Sequence, residues 1–273
     1  MASTERADSL EGRTIGVTAE RRADDLCASL QRRGAQVWHA PTMHTVPLSG
    51  DPELREATER VLGEPVHAVA ITTGMGMKGW LEAARGWGLD EPLLHRFGEA
   101  RVYVRGPKAK GAVRGAGLVE HTSAQSETDA EMFEQVLTDG VRGRRVVVQL
   151  HGVPLPEHTG ELRDAGAEVI DVLPYRWEAP VEPARVHRLL DGVLDGQVDA
   201  LTFTSAAATA GLLSIARESG RYDGLLDALR TRVLAACVGP VTAAPLTDLD
   251  VPVLQPDRWR LGALVKTLTE ALS

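Results

Sequence analysis

Short apolar runs recur along the chain, each followed by a stretch with helical spacing or by turn residues. Residues 13–18 form a β-branched run that predicts a strand. Asp24, Asp25, Leu26, Ser29 and Leu30 then keep a helical spacing, and Gly34 stands just past that helix, where glycine is favoured. Gln36–His39 reads as the next strand, stopped by Pro41. Residues 67–72 are apolar and end in Thr72-Thr73-Gly74, and polar capping residues ahead of Trp80-Leu81 predict a helix that starts there. Arg101–Val104 is a strand that turns at Gly106-Pro107. The second half predicts strands at 145–150, 168–173, Ala200–Phe203 and 233–238, with helices near 156–165 and from Ala206. Strands this apolar, alternating with helices, belong to parallel sheets covered on both faces, so the fold class is α/β.

The two halves repeat one pattern. Gly12-Arg13-Thr14-Ile15-Gly16-Val17 resembles Gly143-Arg144-Arg145-Val146-Val147-Val148, and Gly34-Ala35-Gln36-Val37 resembles Gly166-Ala167-Glu168-Val169. Pro41 matches Pro174, Ile71-Thr72-Thr73 matches Phe203-Thr204-Ser205, and Gly106-Pro107 matches Gly239-Pro240. All five pairs keep their order at a separation of about 132 residues, the signature of an internal duplication. The Pro-rich stretches between Pro41 and Pro52 and between Tyr175 and Pro183 read as linkers. Two partitions fit the repeat: each half is a domain, or the chain crosses twice between domains.

The composition narrows the class. At 273 residues the chain is long enough for about two domains. With 43% hydrophobic and 25% charged residues it is neither fibrous nor disordered. No apolar run is long enough to span a bilayer, and the polar residues 1–12 lack the apolar core of a secretion signal, which predicts a cytoplasmic protein without membrane contact. Cys27 and Cys237 are far apart and predict buried structural thiols, with neither a disulfide framework nor a zinc site. The eight histidines show no HxxxH or HExxH spacing, so no metal is expected. The segment Gly74-Met75-Gly76-Met77-Lys78-Gly79 lacks the spacing of either phosphate-binding glycine loop. A net charge of −8 excludes a general nucleic-acid binder. It also requires that any anionic ligand be held by local groups against the global field.

The ordered set of motifs resembles the uroporphyrinogen-III synthase family over residues 12 to 270. Its sharpest pieces are Phe203-Thr204-Ser205, Val238-Gly239-Pro240-Val241-Thr242-Ala243 and Leu173-Pro174-Tyr175. The resemblance implies two flavodoxin-like parallel-sheet domains joined by a two-stranded linker, the chain crossing twice. The first domain would combine residues 1–42 with 180–273, the second would be 48–172, and 43–47 and 173–179 would link them. It implies a monomeric lyase of porphyrin and heme biosynthesis that needs no cofactor. The implied substrate is hydroxymethylbilane, a linear tetrapyrrole with eight carboxylates, handed over by the upstream deaminase. The enzyme would eliminate its terminal hydroxyl as water, invert ring D and close the ring.

Ligands of open α/β sheets bind beyond the carboxyl ends of the strands. Thr72-Thr73-Gly74, His151-Gly152, Thr204-Ser205-Ala206 and Gly239 fall there. Facing domains would then form a cleft of hydroxyls and helix N-termini suited to carboxylates. Thr18, at the end of the first strand, and Thr242, after the second Gly-Pro turn, complete the expected substrate-binding set. Arg105 and Lys108 flank Gly106 and are expected at the cleft rim, whereas Lys110 and Arg114 read as a solvated face. Tyr175, where the family places a linker tyrosine, is the expected catalytic acid for the departing hydroxyl. The chain departs from the family where Thr18 is followed by Ala19-Glu20, where the first Gly-Pro turn lacks its Thr, and where Asp129-Ala130-Glu131 adds acid near the site. These departures favour a ligand-sensing relative; a chain ending at Ser273, without room for a regulatory domain, favours the enzyme.

Overall fold

The computed structural model describes residues 9–273; residues 1–8 of the polar N-terminal stretch lie outside the described residues. The chain opens with β1 (Thr14–Val17), α1 (Ala23–Gln31), β2 (Gln36–His39) and β3 (His44–Pro47). It continues through α2 (Pro52–Gly63), β4 (Ala68–Ile71), α3 (Gly74–Gly86), α4 (Asp90–Gly98), β5 (Arg101–Val104), α5 (Pro107–Gly115), β6 (Thr122–Ser123) and α6 (Asp129–Thr138). The repeat follows as β7 (Arg145–Gln149), α7 (Pro156–Asp164), β8 (Glu168–Val172), β9 (Tyr175–Glu178), α8 (Pro183–Leu194), β10 (Ala200–Phe203) and α9 (Ala206–Glu218). The last elements are α10 (Tyr222–Thr231), β11 (Leu234–Cys237), α11 (Pro240–Thr247), β12 (Val253–Leu254) and α12 (Leu261–Leu272). No helix of the described residues is long and apolar enough to cross a membrane.

These elements form two units. One holds the described residues up to His44 together with Glu178–Ser273; the other is Thr45–Trp177. The first unit carries a parallel five-stranded sheet in the order β12-β11-β10-β1-β2. Counted from β1, this is the flavodoxin-like order 2-1-3-4-5. The second unit carries the parallel order β6-β5-β4-β7-β8. It becomes the same order if counting starts at β7 and passes from β8 to β4. Under the repeat, β7 and β8 correspond to β1 and β2, and β4 to β6 correspond to β10 to β12. Each unit therefore joins the first two strands of one copy to the last three of the other. Strands β3 and β9 pair with each other in the stretches that read as linkers.

Strand alternation builds a core on each face of each sheet. In the first unit Ile15, Val17, Ala200 and Ala236 pack under α1 and α12, while Leu201, Phe203, Ala235 and Cys237 pack under α8 to α11. In the second, Val69, Ile71, Val102, Val104 and Val147 face α2 to α5, and Ala68, Ala70, Tyr103, Val146 and Val148 face α6 and α7. Helix α3 begins six residues before the position expected near Trp80. Thr73 supplies the cap, its hydroxyl accepting from the Gly76 amide at 3.1 Å. The glycines of its first turns have poor helix propensity, and the contacts that require them come from distant segments.

Candidate functional site

In a parallel sheet all carboxyl ends lie on one edge. In the first unit that edge carries Thr18 after β1, Thr204 and Ser205 after β10, and Gly239 after β11. In the second it carries Thr72 and Thr73 after β4, Arg105 and Gly106 after β5, and His151 and Gly152 after β7. The strand order reverses between β1 and β10 and between β4 and β7, the switch points where such sheets bind ligands.

Two of the expected binding hydroxyls serve the sheet instead. Thr18 Oγ1 donates to the Thr202 carbonyl at 2.9 Å, and Thr72 Oγ1 donates to the Gln149 carbonyl at 2.7 Å. Both side chains are enclosed, so each clamps a switch point rather than reaching a ligand. Thr73 and Ser205 remain accessible as caps: Ser205 Oγ accepts from the Ala208 amide at 3.2 Å, with Ala206 opening the helix behind it. Thr242 is buried behind the Gly239 turn, and its carbonyl accepts from Thr209 at 3.0 Å.

The second unit gathers the densest polar cluster. Gln149, fully buried at the end of β7, accepts from the Thr73 amide through Oε1 at 3.1 Å and donates through Nε2 to Thr73 Oγ1 at 3.4 Å and to the Leu150 carbonyl. The Tyr175 hydroxyl lies 3.3 Å from Thr73 Oγ1, and the phenol is only 3% exposed. Trp177, two residues on, stands 6.4 Å from the Tyr175 ring and 5.6 Å from the His151 ring. His151 Nε2 meets Asp129 Oδ2 at 3.0 Å, and Arg105 Nη1 donates to the same oxygen at 3.2 Å. His151 Nδ1 is enclosed and has no hydrogen-bond partner among the described residues. Burial alone would push the Asp129 carboxyl up, but the His151 bond and the Arg105 charge hold it below the usual carboxylate range.

The acidic segment therefore does not make this edge acidic. The Asp129 charge is paired with Arg105, and its carboxylate is also hydrogen-bonded to His151. Glu131 turns back onto the loop, accepting from the Gln125 and Ser126 amides at 2.8 and 2.7 Å, while the Glu131 amide donates to the Thr128 hydroxyl. This resembles the capping box that the sequence Thr128-Asp129-Ala130-Glu131 spells. Of the nearby cations, Arg105 is tied to Asp129, and Lys110 and Arg114 both pair with Glu120. Lys108 is exposed and has no ion-pair partner among the described residues.

The Glu120 carboxyl is held down at about 2, chiefly by the Arg114 hydrogen bond against the cost of burial. A carboxyl lowered on folding stabilises above its unfolded value, here 4.5, and that contribution disappears as pH falls through the folded value. Denaturant unfolding between pH 4.5 and pH 2 should thus show a stability loss that Glu120→Gln makes shallower. Parallel curves for the two proteins would refute a folded-state role for the pair.

In the first unit, the residues that follow Thr18 are held by histidines. His39 Nε2 lies 2.8 Å from the Ala19 carbonyl, and His44 Nδ1 lies 2.5 Å from Glu20 Oε1. Cys237 is buried in β11 and its thiol is pushed up to about 12 by burial. Cys27, expected to be buried, is only half-buried, because it sits beside rather than on the inward stripe of α1. Three parts of the site were missed in the sequence: Gln149, the charge-neutralising role of Asp129, and Trp177. Gln149 alone had a readable signal, a polar residue closing the apolar run Val146-Val147-Val148.

Comparison with known proteins adds independent findings. Residues 24–266 match the family model described as uroporphyrinogen-III synthase HemD. The crystal structure of a mutant uroporphyrinogen III synthase from the extremely thermophilic bacterium Thermus thermophilus is similar with a TM-score of 0.81 and 30% identity, covering 95% of this chain and 98% of that one. An uncharacterized protein of Bacillus subtilis, YjjA, is 28% identical over 96% of each chain. A putative uroporphyrinogen-III synthase from Methanothermobacter thermautotrophicus is 34% identical over 39% of this chain and 41% of its own length.

Proposed function

Because the chain belongs to the uroporphyrinogen-III synthase family, we propose that it closes hydroxymethylbilane to uroporphyrinogen III, inverting ring D and releasing water. The observation that carries this reading is the contact of Tyr175 with Thr73 at the carboxyl edge of the second unit. The phenol is too enclosed to meet a large substrate directly, but Thr73 is half-buried and caps α3. A proton passing from Tyr175 through the Thr73 hydroxyl lets the terminal hydroxyl depart as water. The azafulvene cation left behind is attacked by ring D, and the proton released when the ring closes restores the balance.

Neutral donors suit this substrate on a chain of net charge −8. The first turns of α3, α5, α9 and α11 begin at the carboxyl edges, and first-turn amides lack intrahelical acceptors. Such amides bind carboxylates without a basic field. Lys108 adds one exposed cation at the α5 start. The chemistry needed after water leaves is chiefly positioning, which forces the inverted closure over the spontaneous one.

The deciding assay supplies freshly generated hydroxymethylbilane and separates the products after oxidation. An excess of type III over the spontaneous type I isomer is the expected result. Type I alone, with saturable binding, would make the chain a ligand sensor, the reading that the neutralised Arg105 favours. Tyr175→Phe is expected to lower kcat on the order of 10²-fold while leaving KM within about twofold. Unchanged kcat would remove Tyr175 from the proton path.

A further inference from the structure

Five tryptophans occur in the chain, and only Trp259 is exposed, with half its surface in water. It sits in the turn Asp257-Arg258-Trp259-Arg260 between β12 and α12. This turn follows the carboxyl end of β12, so it lies on the same edge as Gly239 and Ser205. The ring does not dangle. The five-membered half of the indole rests on Gly239: a methyl group there would lie 3.0 Å from Trp259 Cγ and 3.3 Å from Cδ1 and Cδ2. A glycine at that position is what lets the ring seat against the strand-end turn. The ring is thus fixed against the turn on one side and leaves its other side in water, free to stack on a ligand.

Its neighbours define what would cover it. Arg258 and Arg260 are exposed, and neither guanidinium has a hydrogen-bond or ion-pair partner among the described residues. Elsewhere Arg105, Arg145, Arg163 and Arg221 all reach carboxylates. Asp257 is exposed on the same turn and is the one acidic neighbour in it. Two uncommitted cations flank the aromatic face on a chain of net charge −8. The matching ligand is a flat, electron-rich ring with anionic arms. Indole stacks on such a ring, and guanidinium forks match carboxylates in pairs.

We infer that Arg258, Trp259 and Arg260 form a recognition element for a carboxylated pyrrole, with Trp259 stacking the ring and the arginines taking the carboxylates of its arms. The inference rests on the proposed synthase reading for the identity of the ring. It adds a specificity-determining surface in the first unit, separate from the polar cluster around Thr73. Trp259 contributes to binding and not to proton transfer.

The test uses the full chain and two readouts. In steady-state assays with hydroxymethylbilane, Trp259→Ala should raise KM about tenfold with kcat within about twofold, and Trp259→Phe should restore most of the affinity. Arg258→Ala/Arg260→Ala should raise KM and flatten its salt dependence. Separately, tryptophan fluorescence is titrated with uroporphyrinogen III under anaerobic conditions. Wild type should be quenched saturably, and Trp259→Phe should lose most of that quenching. Saturable, Trp259-dependent quenching without any type III product would sink the synthase reading and leave this inference standing. Unchanged KM and unchanged quenching in Trp259→Ala, or a drop in melting temperature as its sole effect, would overturn the inference and make Trp259 a cover for the Gly239 turn. Unaltered KM and salt dependence in a stably folded double arginine variant would overturn it as well.

Discussion

Alanine in place of Asp129 is expected to lower the unfolding free energy by about 3 kcal/mol, the low end for removing one partner of a buried ion pair. The carboxylate is 18% exposed and Arg105 24%, so water offsets part of the loss and keeps the cost from rising higher. Two groups lose their acceptor together. Arg105 keeps an uncompensated charge, and His151 is left with neither ring nitrogen hydrogen-bonded in its enclosed position. Asp129→Asn keeps the shape without the charge and should cost less. Wild type is more stable than the Asn variant above the ordinary aspartate value of 3.8, and that advantage vanishes as pH falls through the lowered folded value. Denaturant melts of the three proteins at pH 7 and pH 3 check both statements. An alanine variant as stable as wild type would mean that Arg105 and His151 are solvated independently.

The second large effect comes from Gly74. A methyl group there collides with the backbone carbonyl of Lys108, where α3 packs against α5. A backbone oxygen cannot swing aside as a side chain can, so the helices must separate. Overpacking of this kind costs about 1–3 kcal/mol, and Gly74→Ala should fall at the upper end. Gly79, on the same helix, faces open space. There Gly→Ala should stabilise by about 0.5–1 kcal/mol through helix propensity. Thermal melts of the two variants should move in opposite directions, and a destabilised Gly79→Ala would refute the packing argument. On the proposed synthase reading, Gly74→Ala should also weaken turnover, because Lys108 and the start of α5 move with the displaced carbonyl.

Much of the strand framework was legible because it is written in local chemistry. Residues 145–150 and 168–173 end within one residue of β7 and β8, and Ala200–Phe203 coincides with β10. Their β-branched or apolar runs are short and bounded by turn residues, which is the local mark of a buried strand. The short β6 and β12 carry too few residues to show a pattern. The start of α3 was hidden because Gly74 and Gly76 answer to Lys108 and Gln149, contacts made across long sequence separations. Thr18 and Thr72 were legible as strand ends but not as clamps, since their acceptors lie on neighbouring strands. Arg105 read as a ligand for substrate because Asp129, 24 residues on, gives no local sign of reaching it.

From the amino-acid order alone came the α/β class, the twofold repeat and the polar character of the strand ends. Alternation, helical spacing and turn residues act over a few positions and depend little on the rest of the chain. The repeat by itself left open which strands of the two copies share a sheet, and tertiary structure alone decided which charges cancel. Each unit takes two strands from one copy and three from the other, and strands of similar apolar pattern leave that pairing degenerate until side chains from distant segments pack against them. Neutralisation of Arg105 and the seating of Trp259 on Gly239 depend in the same way on groups brought together only by folding.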